Sequence, residues 1–167
     1  RKNSSEDHRH FHEGGYALKL HEDTMAFQAL LSSISNRTNI RADIIEKDYY
    51  LTMLLEELSC RQDALPAYFK GGTALYKALG RMIRFSEDID LTVESSDCSK
   101  SQSKKRLERA AHGYHSLPRT QDTEREENRR GSITSVYEYN PITLVDPDDE
   151  LQRFGYVKIE ATSFTVS

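Results

Sequence analysis

The sequence predicts an α+β domain, and two observations carry that expectation. Two stretches with helical apolar spacing, 22–35 and 41–59, precede the first strand candidate. Short segments of alternating polar and apolar residues then recur at 88–94, 133–139 and 156–164. The chain has 167 residues, which fits one domain, or one domain with a short extension, and is long enough to bury a core.

Taken in order, residues 1–20 are polar, rich in histidine and carry Gly14-Gly15, so they read as a flexible segment ahead of a domain spanning 21–167. His8, His10 and His12 alternate and would share one side of a strand, a pattern that can bind a transition metal. A flexible or non-native tail is the plainer reading. The helix over 22–35 is expected to turn Met25, Ala29 and Leu30 inward and to break at Asn36–Asn39. The helix over 41–59 lines up Ile44, Leu51, Leu55 and Leu58. Pro66 marks a loop. Ala67–Lys70 reads as a strand running into Gly71-Gly72, Thr73–Leu79 as a helix, and Gly80 as its stop. Asp88–Glu94 has the period-2 pattern of a half-buried strand. A helix over 100–114, a polar loop over 116–131 and strands at Ile133–Tyr139 and Tyr156–Phe164 complete the chain. The acidic DPDDE at 146–150 separates the last two strands, and there is no internal repeat.

Composition narrows the function classes. No apolar run approaches a membrane span and the N-terminus lacks the apolar centre of a signal peptide, so a cytoplasmic protein without a membrane partner is expected. Cys60 and Cys98 form neither a disulfide framework nor a zinc motif. The net charge of −4 is uneven: Lys100–Arg130 holds nine basic against five acidic residues, leaving 14 against 22 elsewhere. A local excess of positive charge suits a polyanionic partner, although a solvated helix face would look the same.

The chemistry concentrates in FKGGTALYKALGRMIRFSEDIDLTVE, residues 69–94. A strand that ends in Gly71-Gly72 and turns into a helix presents backbone N–H groups as an anion site, with Thr73 able to cap the helix or touch a phosphate. Strand-to-helix turns also use glycine for geometry alone. Asp88 and Asp90 project from one strand face with Cα atoms roughly 6–7 Å apart. Two carboxylates so close repel unless a cation sits between them, and hard oxygen donors suit Mg²⁺ or Mn²⁺. An isolated pair of this kind could equally line a solvated edge. The combination of glycine turn and paired aspartates favours phosphoryl transfer, with triphosphate and metal at one end of a sheet. Such sites commonly need a third carboxylate, and Glu160 shares a strand face with Lys158 and Thr162. Arg84, two residues before Ser86, could neutralise phosphate charge. A metal-dependent phosphohydrolase would more often place histidines in such motifs, and none lies between Phe69 and Glu94.

FKGGTALYK followed by RFSEDIDLTV resembles the signature of the AbiEii/AbiGii-type nucleotidyltransferases, the toxin halves of bacterial abortive-infection and toxin–antitoxin pairs. IIEKDYYLTMLLEEL at 44–58 is similar to the helix preceding the glycine motif in that family. The resemblance runs from about Ile44 to Val93, with an echo at Tyr156–Phe164. It implies a DNA polymerase β-like nucleotidyltransferase fold, a short mixed sheet packed on helices with N-terminal helices ahead of the core. It implies that Gly71, Gly72 and Thr73 hold the triphosphate, with Lys70, Arg84 and Ser86 completing the nucleotide-binding set. Asp88 and Asp90 would bind two Mg²⁺ or Mn²⁺ ions, with Glu160 as third ligand or proton acceptor. The implied reaction moves a nucleoside monophosphate from an NTP to an acceptor hydroxyl and releases pyrophosphate. Some relatives act on the 3′ end of tRNA, so an RNA acceptor and a cognate antitoxin are the implied partners, in phage defence. A non-catalytic nucleotide- or RNA-binding module on the same fold is the alternative. The chain departs from the pattern in two ways: the third acid is Glu, and the helical C-terminal region that the family usually adds is expected to be absent after Ser167.

Overall fold

The computed structural model describes residues 19–61, 67–71, 88–143 and 154–164. The readings placed on the three N-terminal histidines, Pro66, the 73–79 helix, Gly80 and 146–150 lie outside these residues. Helix α1, Thr24–Thr38, starts where the Asp23 carboxylate accepts the Ala26 N–H at 3.0 Å. It ends at Asn39, whose φ of 57° is the left-handed conformation asparagine tolerates at a helix stop. Its inward stripe differs from the expected one. Met25 is 84% exposed and Leu30 39%, while Phe27 and Leu31 are buried. The reason is aromatic packing: the Phe27 ring lies 4.7 Å from that of Tyr49, which sets the rotation of α1 against the next helix.

Helix α2, Ala42–Cys60, buries Leu51, Leu54 and Leu58 but begins its inward stripe with Asp43, Glu46 and Lys47. Ile44 and Leu55, expected inside, are half-buried. The polar start is satisfied rather than stranded. The Glu46 carboxylate accepts the N–H groups of Ile142 at 2.8 Å and Thr143 at 3.1 Å, pinning the chain after the sheet's fourth strand. At the other end of α2, Glu57 accepts the N–H groups of His115 and Ser116, and the Arg61 guanidinium lies 4.8 Å from the Tyr114 ring.

Strands β1 (Ala67–Lys70), β2 (Asp88–Glu94), β3 (Glu127–Arg129), β4 (Ser132–Glu138) and β5 (Tyr156–Phe164) form one mixed sheet in the order β1-β2-β5-β4-β3. Only β2 and β5 run parallel; the other neighbours are antiparallel. Between β2 and the β3–β4 hairpin runs helix α3, Lys100–Ala111, opened by a reciprocal capping box between Ser99 and Gln102. Ile89, Leu91 and Val93 of β2 and Val157, Ile159 and Ala161 of β5 face Leu54, Leu107 and Ala110 in one core. The polar stretch expected to be a loop over 116–131 holds a 3-10 turn at Thr123–Arg125 and strand β3. An edge strand exposed along its length carries no alternating signal, which is why spacing does not reveal it.

Candidate active site

The register of the sheet assembles the site on the face turned away from the helices. Asp90 is the Cα partner of both Lys70 on β1 and Glu160 on β5, and Asp88 is the partner of Lys158. Side chains alternate along each strand, so Lys70, Asp88, Asp90, Lys158 and Glu160 all belong to this outer face. Neighbouring strands lie about 4.8 Å apart, which puts Asp90 and Glu160 side by side. Burial together with the charges of Glu160 and Asp88 raises the Asp90 carboxyl above its ordinary range, and Lys70 partly opposes this. Lys70 reaches across β2, its ammonium donating to Thr162 Oγ1 at 2.7 Å, while the Thr162 hydroxyl donates to the Leu91 carbonyl at 3.2 Å.

Gly71 shows why the turn after β1 needs glycine. Its φ is +80°, and a Cβ there would fall 2.4 Å from Asp90 Oδ2. The glycine thus seats the carboxylate against the backbone of the turn. Lys70, Gly71, Asp88, Asp90 and Glu160 come together at this end of the sheet. Gly72, Thr73, Arg84 and Ser86 lie outside the described residues. Among the described residues no three carboxylate, imidazole or thiol groups close into a cluster that could hold a metal ion as they stand. The donor chemistry nonetheless fits a hard divalent cation: three carboxylates share one face, and Asp90 carries the mark of their mutual repulsion.

A second group of residues at this end escapes sequence reasoning. The cationic groups of Lys47, Arg125 and Lys158 stand 5.0, 4.5 and 5.7 Å from the centroid of the Tyr156 ring, beside the strand position of Asp88. Arg125 also pairs with Glu138 at 2.9 Å. Lys158 could have been flagged from its alternation with Glu160. Lys47 and Arg125 come from a helix and a turn far apart in the chain, and no local pattern links them.

Paired carboxylates on a strand beside a glycine turn form the kind of site used in phosphoryl transfer. Residues 53–166, more than half of the chain, match the family described as "Nucleotidyl transferase AbiEii toxin, Type IV TA system". The chain therefore belongs to the AbiEii family, the nucleotidyl transferase toxins of type IV toxin–antitoxin systems, and as such a toxin it implies a cognate antitoxin. The match opens at Met53, so the similarity noted for Ile44–Thr52 lies outside it, whereas β3 and β4 fall within it. No curated protein and no solved structure matches the chain. Among the described residues no helix is long and apolar enough to cross a membrane.

Proposed function

We propose that the protein transfers a nucleoside monophosphate from an NTP to the hydroxyl of an RNA acceptor, with the 3′ end of tRNA as the first candidate. The acceptor oxygen bonds to the α-phosphorus, the bond from that phosphorus to the oxygen bridging to the β-phosphorus breaks, and pyrophosphate leaves. Glu160, exposed on β5, takes the hydroxyl proton. Asp88 and Asp90 would hold divalent cations, which when bound supply positive charge at the triphosphate and at the attacking oxygen. Gly71 keeps Asp90 against the turn, and Lys70 and Lys158 offset negative charge on the same face. The observation that carries the reading is the lateral row Lys70–Asp90–Glu160, one residue from each of three adjacent strands.

The test is incubation with Mg²⁺, each of four α-labelled NTPs in turn and total bacterial tRNA, beside Asp88→Asn. Label on RNA with the unaltered protein alone supports the transfer and names the base. Metal-dependent NTP binding without label on any acceptor would support the binding-module reading instead.

A further inference from the structure

At the end of the sheet away from Gly71 and Asp88, a groove of about 720 Å³ runs between α3 and the β3–β4 turn. Lys100 and Lys104, one helical turn apart, form one wall; Arg129 and Arg130 form the other; Ser103 and Ser163 lie between. No Asp or Glu lines it, in a chain whose net charge is −4. Lys104 and Arg129 each have one exposed acidic neighbour, Glu108 at 3.8 Å and Glu127 at 3.1 Å, and such pairs are weak and easily exchanged. Lys100 and Arg130 make no ion pair among the described residues.

We propose that this groove binds the phosphodiester backbone of a single-stranded nucleic acid. Lysine, arginine and serine are the side chains that contact phosphate and sugar. An acidic protein partner would be expected to find an aromatic or aliphatic anchor point, and the apolar side chains lining the groove, Leu107 and Ile133, are already buried in the core. Ser163 is three residues beyond Glu160 on the same strand, roughly 10 Å along it, and the odd offset puts it on the helix-side face, so an acceptor strand has to round the end of the sheet to meet Glu160. The proposal rests on the transferase reading only in making this strand the acceptor; the binding itself stands apart from turnover. It also refines the basic segment seen in the sequence. Of the run Lys104-Lys105-Arg106, only Lys104 lines the groove, and Arg106 instead donates to the Glu94 carbonyl at 2.8 Å.

The experiment measures fluorescence anisotropy of a labelled RNA strand of about 20 nucleotides with the full chain carrying Asp88→Asn, without NTP, across a salt series. The paired substitution Lys100→Glu/Arg130→Glu is expected to weaken binding at least ~10-fold and to flatten the slope of log K against log salt by roughly 1.4, two phosphates at about 0.7 each. Lys105→Glu, outside the groove, should change affinity less than about 2-fold by the same counting. Lys100→Gln/Arg130→Gln should give an intermediate loss, and unchanged thermal midpoints exclude unfolding as the cause. A matched DNA strand separates backbone reading, shown by equal binding, from reading of the 2′-hydroxyl, shown by RNA preference; both support the groove. Equal losses from Lys105→Glu, no RNA binding, or displacement of RNA by polyglutamate as effectively as by unlabelled RNA would each overturn it. Groove-dependent binding here, together with no label transferred by the unaltered protein in the NTP assay, would leave this proposal standing and remove the transferase reading.

Discussion

The two ends of the sheet carry opposite charge for different physical reasons. At the Gly71 end, Asp88, Asp90 and Glu160 crowd onto one face, and Asp90 holds its proton more tightly than an ordinary aspartate because it is partly buried and because Glu160 and Asp88 stand beside it. At the Ser163 end, four basic side chains line a groove without a carboxylate. At the first end strand register holds the carboxylates together while partial burial adds to the cost of charging Asp90; at the second, the charges extend into water and cost little. The contrast teaches that a weakly acidic net charge can conceal two separated surfaces, one suited to cations and one to polyanions.

The comparison breaks most sharply at the aspartates. Asp88→Asn or Asp90→Asn is expected to lower transfer by at least ~100-fold, the scale of losing cation-assisted charge stabilisation, with the circular dichroism spectrum retained. Full activity in either variant would end the metal-site argument. Gly71→Ala comes next. It forces an L side chain to positive φ and onto Asp90, so a stability loss of about 1 kcal/mol or more and a large loss of transfer are expected together. An unchanged melting midpoint would show that the turn relaxes freely.

A third prediction concerns pH and has the opposite sign for stability. The folded-state pKa of Asp90 is raised, so its proton favours the folded state at low pH. That contribution is lost as pH rises through the folded pKa. In chelator, Asp90→Asn should therefore melt higher than the unaltered protein at pH 7, and the gap should close toward pH 4. Added Mg²⁺ should raise the midpoint of the unaltered protein more than that of Asp90→Asn. Equal gaps at both pH values would remove the repulsion from the account. The smallest expected effect is at Lys158→Ala, a few-fold rise in KM for NTP with near-normal folding, as expected of a charge that assists without reacting.

Much of this could be read in the chain itself. The strand at Asp88–Glu94 and the one at Tyr156–Phe164 were visible because each buries alternate residues against helices, and the glycine turn beside the paired aspartates marked the site. What spacing misses is set by contacts remote in sequence. Phe27 and Leu31, rather than Met25 and Leu30, face inward because the rings of α2 fix the rotation of α1. Asp43, Glu46 and Lys47 are buried at the start of α2, where a hydrophobic stripe would be expected, because partners such as the Ile142 and Thr143 N–H groups that bind Glu46 lie about a hundred residues away. The groove joins α3 to a hairpin whose outer strand has no apolar period.

One small tie gives the molecule a ruler. The N–H and the hydroxyl of Ser163 both meet the Gly131 carbonyl, at 2.9 and 3.3 Å, fastening the hairpin turn to the end of β5. Glu160 stands on that same strand. The wall that would grip a nucleic-acid strand and the carboxylate that would meet its terminus thus belong to one strand, three residues apart and on opposite faces of the sheet. An overhang shorter than the interval between them would be held but not reached, so the protein would select its acceptor by length before it read a single base.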